Sequence, residues 1–171
     1  MRQILKIVVY LPILLATALY AETVQEKKFV VPNGETVIVA KSAKLNVRVK
    51  IITHEVDIGK PSDKRPEVNR SSCTYSRYPC SIVDGIDISV NDKPLFVPRS
   101  VFCDLADLIN AEVRIEQNKS ILTLIGGDAS ESYIVKIEFD KDRIKRRSLA
   151  PGEAPNEPLQ ETTYHEVIIG D

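Results

Sequence analysis

The chain has 171 residues, 23 basic and 24 acidic, for a formal net charge of −1, with no Trp and only 6% aromatic residues. That balance excludes bulk-charge binding of a nucleic-acid polyanion, and the sparse aromatics leave little material for stacking bases or sugars. The length suits one domain large enough to bury a core of its own.

Residues 1–21 read as an export signal. Arg2 and Lys6 make a positive start, an uncharged stretch runs from Ile7 to Ala21, and Glu22 ends it. Ala16-Thr17-Ala18 fits the small-x-small cleavage pattern, which places cleavage after Ala18, with Ala21 as a second position. The stretch of 15 uncharged residues is shorter than the roughly 20 a membrane-spanning helix needs, and Pro12 interrupts it. An uncleaved anchor is the alternative. Cleavage leaves residues 22–171 as a single exported β-rich domain, periplasmic or secreted. It would carry no transmembrane segment, no lipid-bearing cysteine beside the cleavage site, and a net charge of −3 once Arg2 and Lys6 are removed.

A charged spacer, Glu22 to Lys28, comes next. Apolar runs on both sides of Pro32-Asn33-Gly34, Phe29 to Val31 and Thr36 to Val39, predict a hairpin. Leu45, Val47, Val49 and Ile51 alternate with polar residues, the period of a half-buried strand. An irregular loop with three prolines spans 59–80. Ile82 to Val90 alternates again and turns at Asn91-Asp92. Pro98 to Asn110 carries an apolar stripe at Val101, Leu105, Leu108 and Ile109 behind a proline, which predicts the one helix, near 98–110.

Beyond it, strands are predicted at 113–116, 121–125, 133–139, 144–149 and 162–169, with turns at Asn118, Gly126-Gly127 and Asp140-Lys141-Asp142 and a proline-rich connector over 150–158. The fold class expected is mainly β (α+β). It is an antiparallel sheet, curled or sandwiched, with that helix packed on one face or end.

In an oxidising compartment Cys73 and Cys80 are the natural disulfide pair, flanking one short polar loop. Cys103 sits in the apolar helical pattern and reads as a buried small hydrophobe. The odd count leaves open that it pairs with either of the others or with another molecule. Three scattered thiols and two distant histidines match no zinc spacing, and no metal site or cofactor is predicted.

One local stretch invites comparison with a known module. Ile88-Ser-Val-Asn-Asp-Lys-Pro-Leu95 is followed by Phe96-Val97-Pro98-Arg99-Ser100-Val101, and then by Ala111-Glu-Val-Arg-Ile115 and Ser120-Ile-Leu-Thr-Leu124. Together these resemble the "VNGK" strand, the "VPLR" lead into a helix and the following strand pair of the copper amine oxidase N-terminal-like (stalk) domain. The resemblance covers residues 87–125. It departs from the family in a shorter segment after the Asn-Asp turn and a missing Gly after the helix. It implies a cell-envelope binding or stalk module without copper chemistry, because that domain carries no copper ligands.

No nucleophile elbow or phosphate loop is present; Gly126-Gly127-Asp128 lacks the Lys and helix a phosphate loop requires. His54-Glu55 and His165-Glu166 are adjacent pairs, and adjacent strand residues point to opposite faces, so neither is a ready-made dyad. A hydrolase using His54 or His165 with another carboxylate is the alternative reading. The stronger candidate is recognition. Arg70, Tyr75, Arg77 and Tyr78 lie on or beside a loop that the disulfide would pre-organise, and Arg and Tyr are enriched at binding hot spots. Arg143, Lys145 and Arg147 would share one face of a strand as a secondary positive stripe, unless they serve as edge protection. The expected partner is an envelope or extracellular protein.

Overall fold

The computed structural model describes residues 24–59, 73, 74, 77–117 and 119–166. The expected export signal, Arg70, Tyr75 and residues 167–169 of the expected last strand lie outside the described residues.

The described residues form ten strands: β1 (Val24–Phe29), β2 (Gly34–Lys41), β3 (Asn46–Val56), β4 (Cys80–Val90), β5 (Lys93–Pro94), β6 (Leu108–Glu116), β7 (Lys119–Gly126), β8 (Tyr133–Phe139), β9 (Ile144–Pro151) and β10 (Gln160–Thr163). They make a six-stranded sheet, β1-β6-β7-β8-β9-β10, and a four-stranded sheet, β2-β3-β4-β5. Every pairing is antiparallel. The alternation that marks the strands also decides which side is buried. Val47, Val49 and Ile51 of β3 turn inward with Ile86, Ile88 and Val90 of β4. They meet Val113 and Ile115 of β6, Leu122 and Leu124 of β7 and Val135, Ile137 and Phe139 of β8 in one apolar core. Each such side chain removed from water contributes about 1.5–3 kcal/mol. Among the described residues no helix is long and apolar enough to cross a membrane.

Three expectations need correction. The first is the hairpin at Pro32-Asn33-Gly34, since β1 pairs with β6 and β2 with β3. Residues 30–33 instead lead from one sheet to the other. The crossing is tied down by Val30 N–H on Ile109 O (3.0 Å), the Thr53 hydroxyl on Val31 O (2.7 Å) and the Ser81 hydroxyl on Pro32 O (2.6 Å). The charged spacer before it is strand β1. Its backbone finds partners on β6 while Gln25, Lys27 and Lys28 stay exposed, so polar composition marks a sheet edge here.

The second is the helix near 98–110. The backbone makes a single 3-10 turn at Arg99–Val101, and strand β6 has begun by Leu108. Val101, Leu105 and Leu108 of its apolar stripe are buried and Ile109 half-buried, but the backbone between them takes tertiary partners that a helix would forbid. Val83 N–H donates to Leu105 O (3.1 Å), Ile82 bridges Ala106, and Asp107 turns left-handed at φ 50°. A four-residue stripe cannot distinguish a helix from an irregular segment held on two sides.

The third is Cys103, which is exposed and free rather than buried, because without the helix it faces outward from the turn.

The segment 95–107 closes the open side of the fold. Leu95, Leu105 and Asp107 bond to β4, while Val101 and Asp104 receive the side chain of Arg147 on β9. Tyr133, at the start of β8, holds the same segment through Ala106. It accepts a hydrogen bond from Ala106 N–H (3.1 Å) and donates one to Ala106 O. Burial pushes the Tyr133 phenol far above its ordinary range. The Ala106 hydrogen bond opposes that rise, and the nearby Asp107 and Asp104 reinforce it.

Gly126 lies opposite Tyr133, and a Cβ there would meet the phenol ring at 2.5 Å. Gly126→Ala is therefore expected to push the ring off Ala106 and lower unfolding free energy by about 2–3 kcal/mol, measured by urea denaturation.

The β8–β9 turn carries a pH signature. Asp140 Oδ1 accepts the N–H of Asp142 and of Arg143, both at 2.9 Å, and Lys145 pairs with Oδ2 at 2.8 Å. Partial burial pulls the carboxyl up. The Lys145 bond and the two backbone donors outweigh it and hold the carboxyl below its ordinary 3.8. A depressed folded-state pKa stabilises the fold above the unfolded value and stops doing so as pH falls through the folded one. The stability difference between the wild type and Asp140→Asn should therefore be full at neutral pH. It should shrink below pH 3.8, as read by thermal melts across an acid series.

Candidate functional site

Strand register gathers the connections at two ends. At one end lie residues 30–33, the disulfide loop, the β7–β8 connection and the β9–β10 connection, because Gly34, Cys80, Gly126, Tyr133, Pro151 and Gln160 begin or end their strands there. The Lys93–Asp142 pair (3.3 Å) joins the tips of both sheets at the other end.

The first end holds a cleft of about 350 Å³. Cys73, Thr74, Ser132, Tyr133, Leu149 and Leu159 are among the residues that line it. Leu159 is 74% exposed, a large apolar side chain left to solvent beside a concavity. Cys73 and Thr74 are fixed by two devices. Cys73 and Cys80 form the expected disulfide, with Cα atoms 5.6 Å apart. Asp107, 1% exposed, supplies the other. Its carboxylate accepts the N–H of Thr74 (2.7 Å) and of Ser81 (2.9 Å), and its own N–H donates to Ser81 O (2.6 Å). Its carbonyl takes the N–H of Gly127 (3.2 Å), so one residue links both arms of the loop to the β7–β8 connection. The two sulfurs and the carboxylate lie within 4.8 Å of one another. The sulfurs are bonded to each other and the carboxylate is taken by backbone donors, so this chemistry suits a loop anchor.

Of the residues predicted for recognition, Arg77 and Tyr78 lie half-buried on the described part of the loop, with Arg77 N–H on Thr74 O at 3.2 Å. The positive stripe does not form. A bulge in β9 sets Glu138 opposite Arg146 and Phe139 opposite Ile144, which makes Lys145 the extra residue and reverses the facing of the residues after it. Arg147 points inward at 2% exposure. Its Nη2 reaches both carboxylate oxygens of Asp104 (2.7 and 2.8 Å), while Nε donates to Val101 O (3.1 Å) and Nη1 to Gln160 Oε1 (3.3 Å). Lys145 is paired with Asp140, and Arg146 with Glu161 and Glu138. Arg143 is half-buried, and its buried Nη1 has no hydrogen-bond partner among the described residues. Nor is β9 an edge, since β10 covers it.

His54 meets a carboxylate, though not its neighbour's. Its Nδ1 is 2.6 Å from Asp84 Oδ2 on the outer face of β3 and β4. The bulge between Ile52 and Thr53 swings Asp84 into reach. That pair orients an imidazole, but both members are nearly half exposed and no hydroxyl or thiol bonds to the ring among the described residues. His165 is exposed, beyond β10 at the other end of the other sheet.

Sequence reasoning missed Asp107 and Asp84. Each acts across the fold, on groups 26 to 33 residues away for Asp107 and 30 for Asp84, and neither sits in a recognisable local pattern.

No family model, curated protein or solved structure matches the sequence.

Proposed function

We propose that this protein is an exported, non-catalytic binding domain of the cell envelope, and that it takes a protein partner at the end bearing the disulfide loop. The carrying observation is the cleft lined in part by Cys73 and Thr74 of that loop, which are held by the Cys73–Cys80 bond and by the Asp107 carboxylate. A loop ordered before binding loses less conformational entropy on binding, so its Arg and Tyr side chains act at lower cost. Arg77 and Tyr78, on the same loop but not among the residues lining the cleft, are the proposed contacts within the described residues, and Arg70 and Tyr75 belong to the same proposal. The basic residues of β9 do not, being internally paired.

The combined Arg77→Ala/Tyr78→Ala variant tests this. A residue of hot-spot class contributes more than about 1 kcal/mol, so the pair should weaken binding of the partner captured by the wild type by at least tenfold. Unchanged binding sinks the reading.

The 2.6 Å His54–Asp84 pair favours the hydrolase alternative. That reading requires turnover of an ester or peptide by the purified protein that His54→Ala abolishes. The binding reading expects His54→Ala to leave partner affinity intact.

A further inference from the structure

We infer that Asn33 is a site of spontaneous covalent modification, converted to aspartate and isoaspartate without an enzyme. Asn33-Gly34 is the sole Asn-Gly step in the sequence. Asn33 is exposed on the crossing between the sheets and Gly34, also exposed, opens β2; among the described residues nothing hydrogen-bonds the Asn33 carboxamide. Gly34 adopts φ 124°, and the space where a Cβ would sit meets nothing nearer than Val31 Cγ2 at 3.8 Å. Glycine places no side chain at position 34 that could crowd the approach of its nitrogen to the Asn33 carboxamide.

The reaction balances with water alone. The Gly34 amide nitrogen, giving up its proton, attacks Asn33 Cγ. A bond forms between that nitrogen and Cγ, the Cγ–Nδ2 bond breaks, and ammonia leaves with the proton. Water then opens the five-membered imide at either carbonyl. One product is aspartate. The other is isoaspartate, whose backbone runs through the former side chain. Nothing is oxidised or reduced, and each product carries one more negative charge.

The other described asparagines all precede a residue bulkier than glycine, and Asn91, followed by Asp92, is also clamped at both ends of its amide. Its Oδ1 accepts Asn46 N–H (2.8 Å) and its Nδ2 donates to Lys44 O (3.3 Å). Breaking two such bonds alone slows the reaction by roughly five- to 150-fold. The charge gained at Asn33 has a defined place. The adjacent Pro32 carbonyl takes the Ser81 hydroxyl, next to Cys80, so the modification alters the end of the fold that carries the disulfide. The modification requires no binding partner and is independent of the proposed recognition.

The test is a time course of the intact oxidised protein in mildly alkaline buffer, followed by tryptic mapping. Peptide Phe29–Lys41 contains one Asn and no Gln. It should gain the mass of an NH₂-to-OH exchange and split into two products, at least about tenfold faster than the peptide bearing Asn91. Asn33→Gln should abolish both changes, because its ring would need six members. Equal rates at Asn33 and Asn91, or a mass gain persisting in Asn33→Gln, would overturn the assignment.

Discussion

Asp107→Ala is expected to lower unfolding free energy by about 4 kcal/mol. The carboxylate accepts two backbone N–H groups, from Thr74 and Ser81, in a site 1% exposed. Hydrogen bonds to a charged group contribute about 1.5–3 kcal/mol each, and their loss strands buried donors. Alanine also bears the φ of 50° less well than aspartate, whose short polar side chain suits the left-handed region. Urea denaturation of the oxidised protein reads the effect, with an unchanged m-value marking it as stability. Asp107→Asn should fall between, since one amide oxygen can satisfy one of the two donors while its NH₂ opposes the other. A loss below about 1 kcal/mol in the alanine variant would mean that the disulfide alone holds the loop.

Arg147 and Asp104 make the second large prediction. Removing either partner should cost about 3–5 kcal/mol, because a buried charge is left without its counter-charge. The two losses should differ. Asp104 is 36% exposed and can rehydrate when Arg147 is replaced, whereas the guanidinium at 2% cannot when Asp104 is replaced. Asp104→Ala should therefore be the worse of the two. Replacing both with apolar residues, Arg147→Met with Asp104→Leu, should recover much of either single loss, since an ion pair of this kind often does no better than well-packed apolar side chains. Thermal melts of the four proteins give the coupling directly, at about 2–4 °C per kcal/mol for a domain of this size. Strictly additive losses would show that the pair is not coupled.

These two sites also explain what the sequence could disclose. Strand alternation was legible wherever one face is buried. Tyr133 to Phe139, predicted as a strand from its period of two, is β8 with those bounds, and the Asn91-Asp92 turn has both residues at positive φ, as a tight hairpin requires. The Cys73–Cys80 pairing was legible because two cysteines flanking a short loop leave few alternatives. The segment 98–107 was not. Its apolar spacing suits a helix, yet after one turn the backbone leaves the helical path, with Leu105 O and Asp107 N–H bonded to β4 instead. Arg147 was misplaced for a related reason. A single bulged residue reverses which side faces inward, and no local pattern announces it. The anchoring of the loop by Asp107 depends on contacts 26 and 33 residues distant, so it became visible only with the fold.

The central claim is that recognition happens at the disulfide end. Site-specific photo-crosslinking tests it most directly, with the reactive side chain placed at Tyr78 in one variant and at exposed Lys44, among the opposite turns, in another. The account predicts one discrete adduct from position 78 in the cell envelope, lost when Arg77 is also replaced, and none from position 44. An adduct of the same partner from both positions, or from position 44 alone, would contradict it.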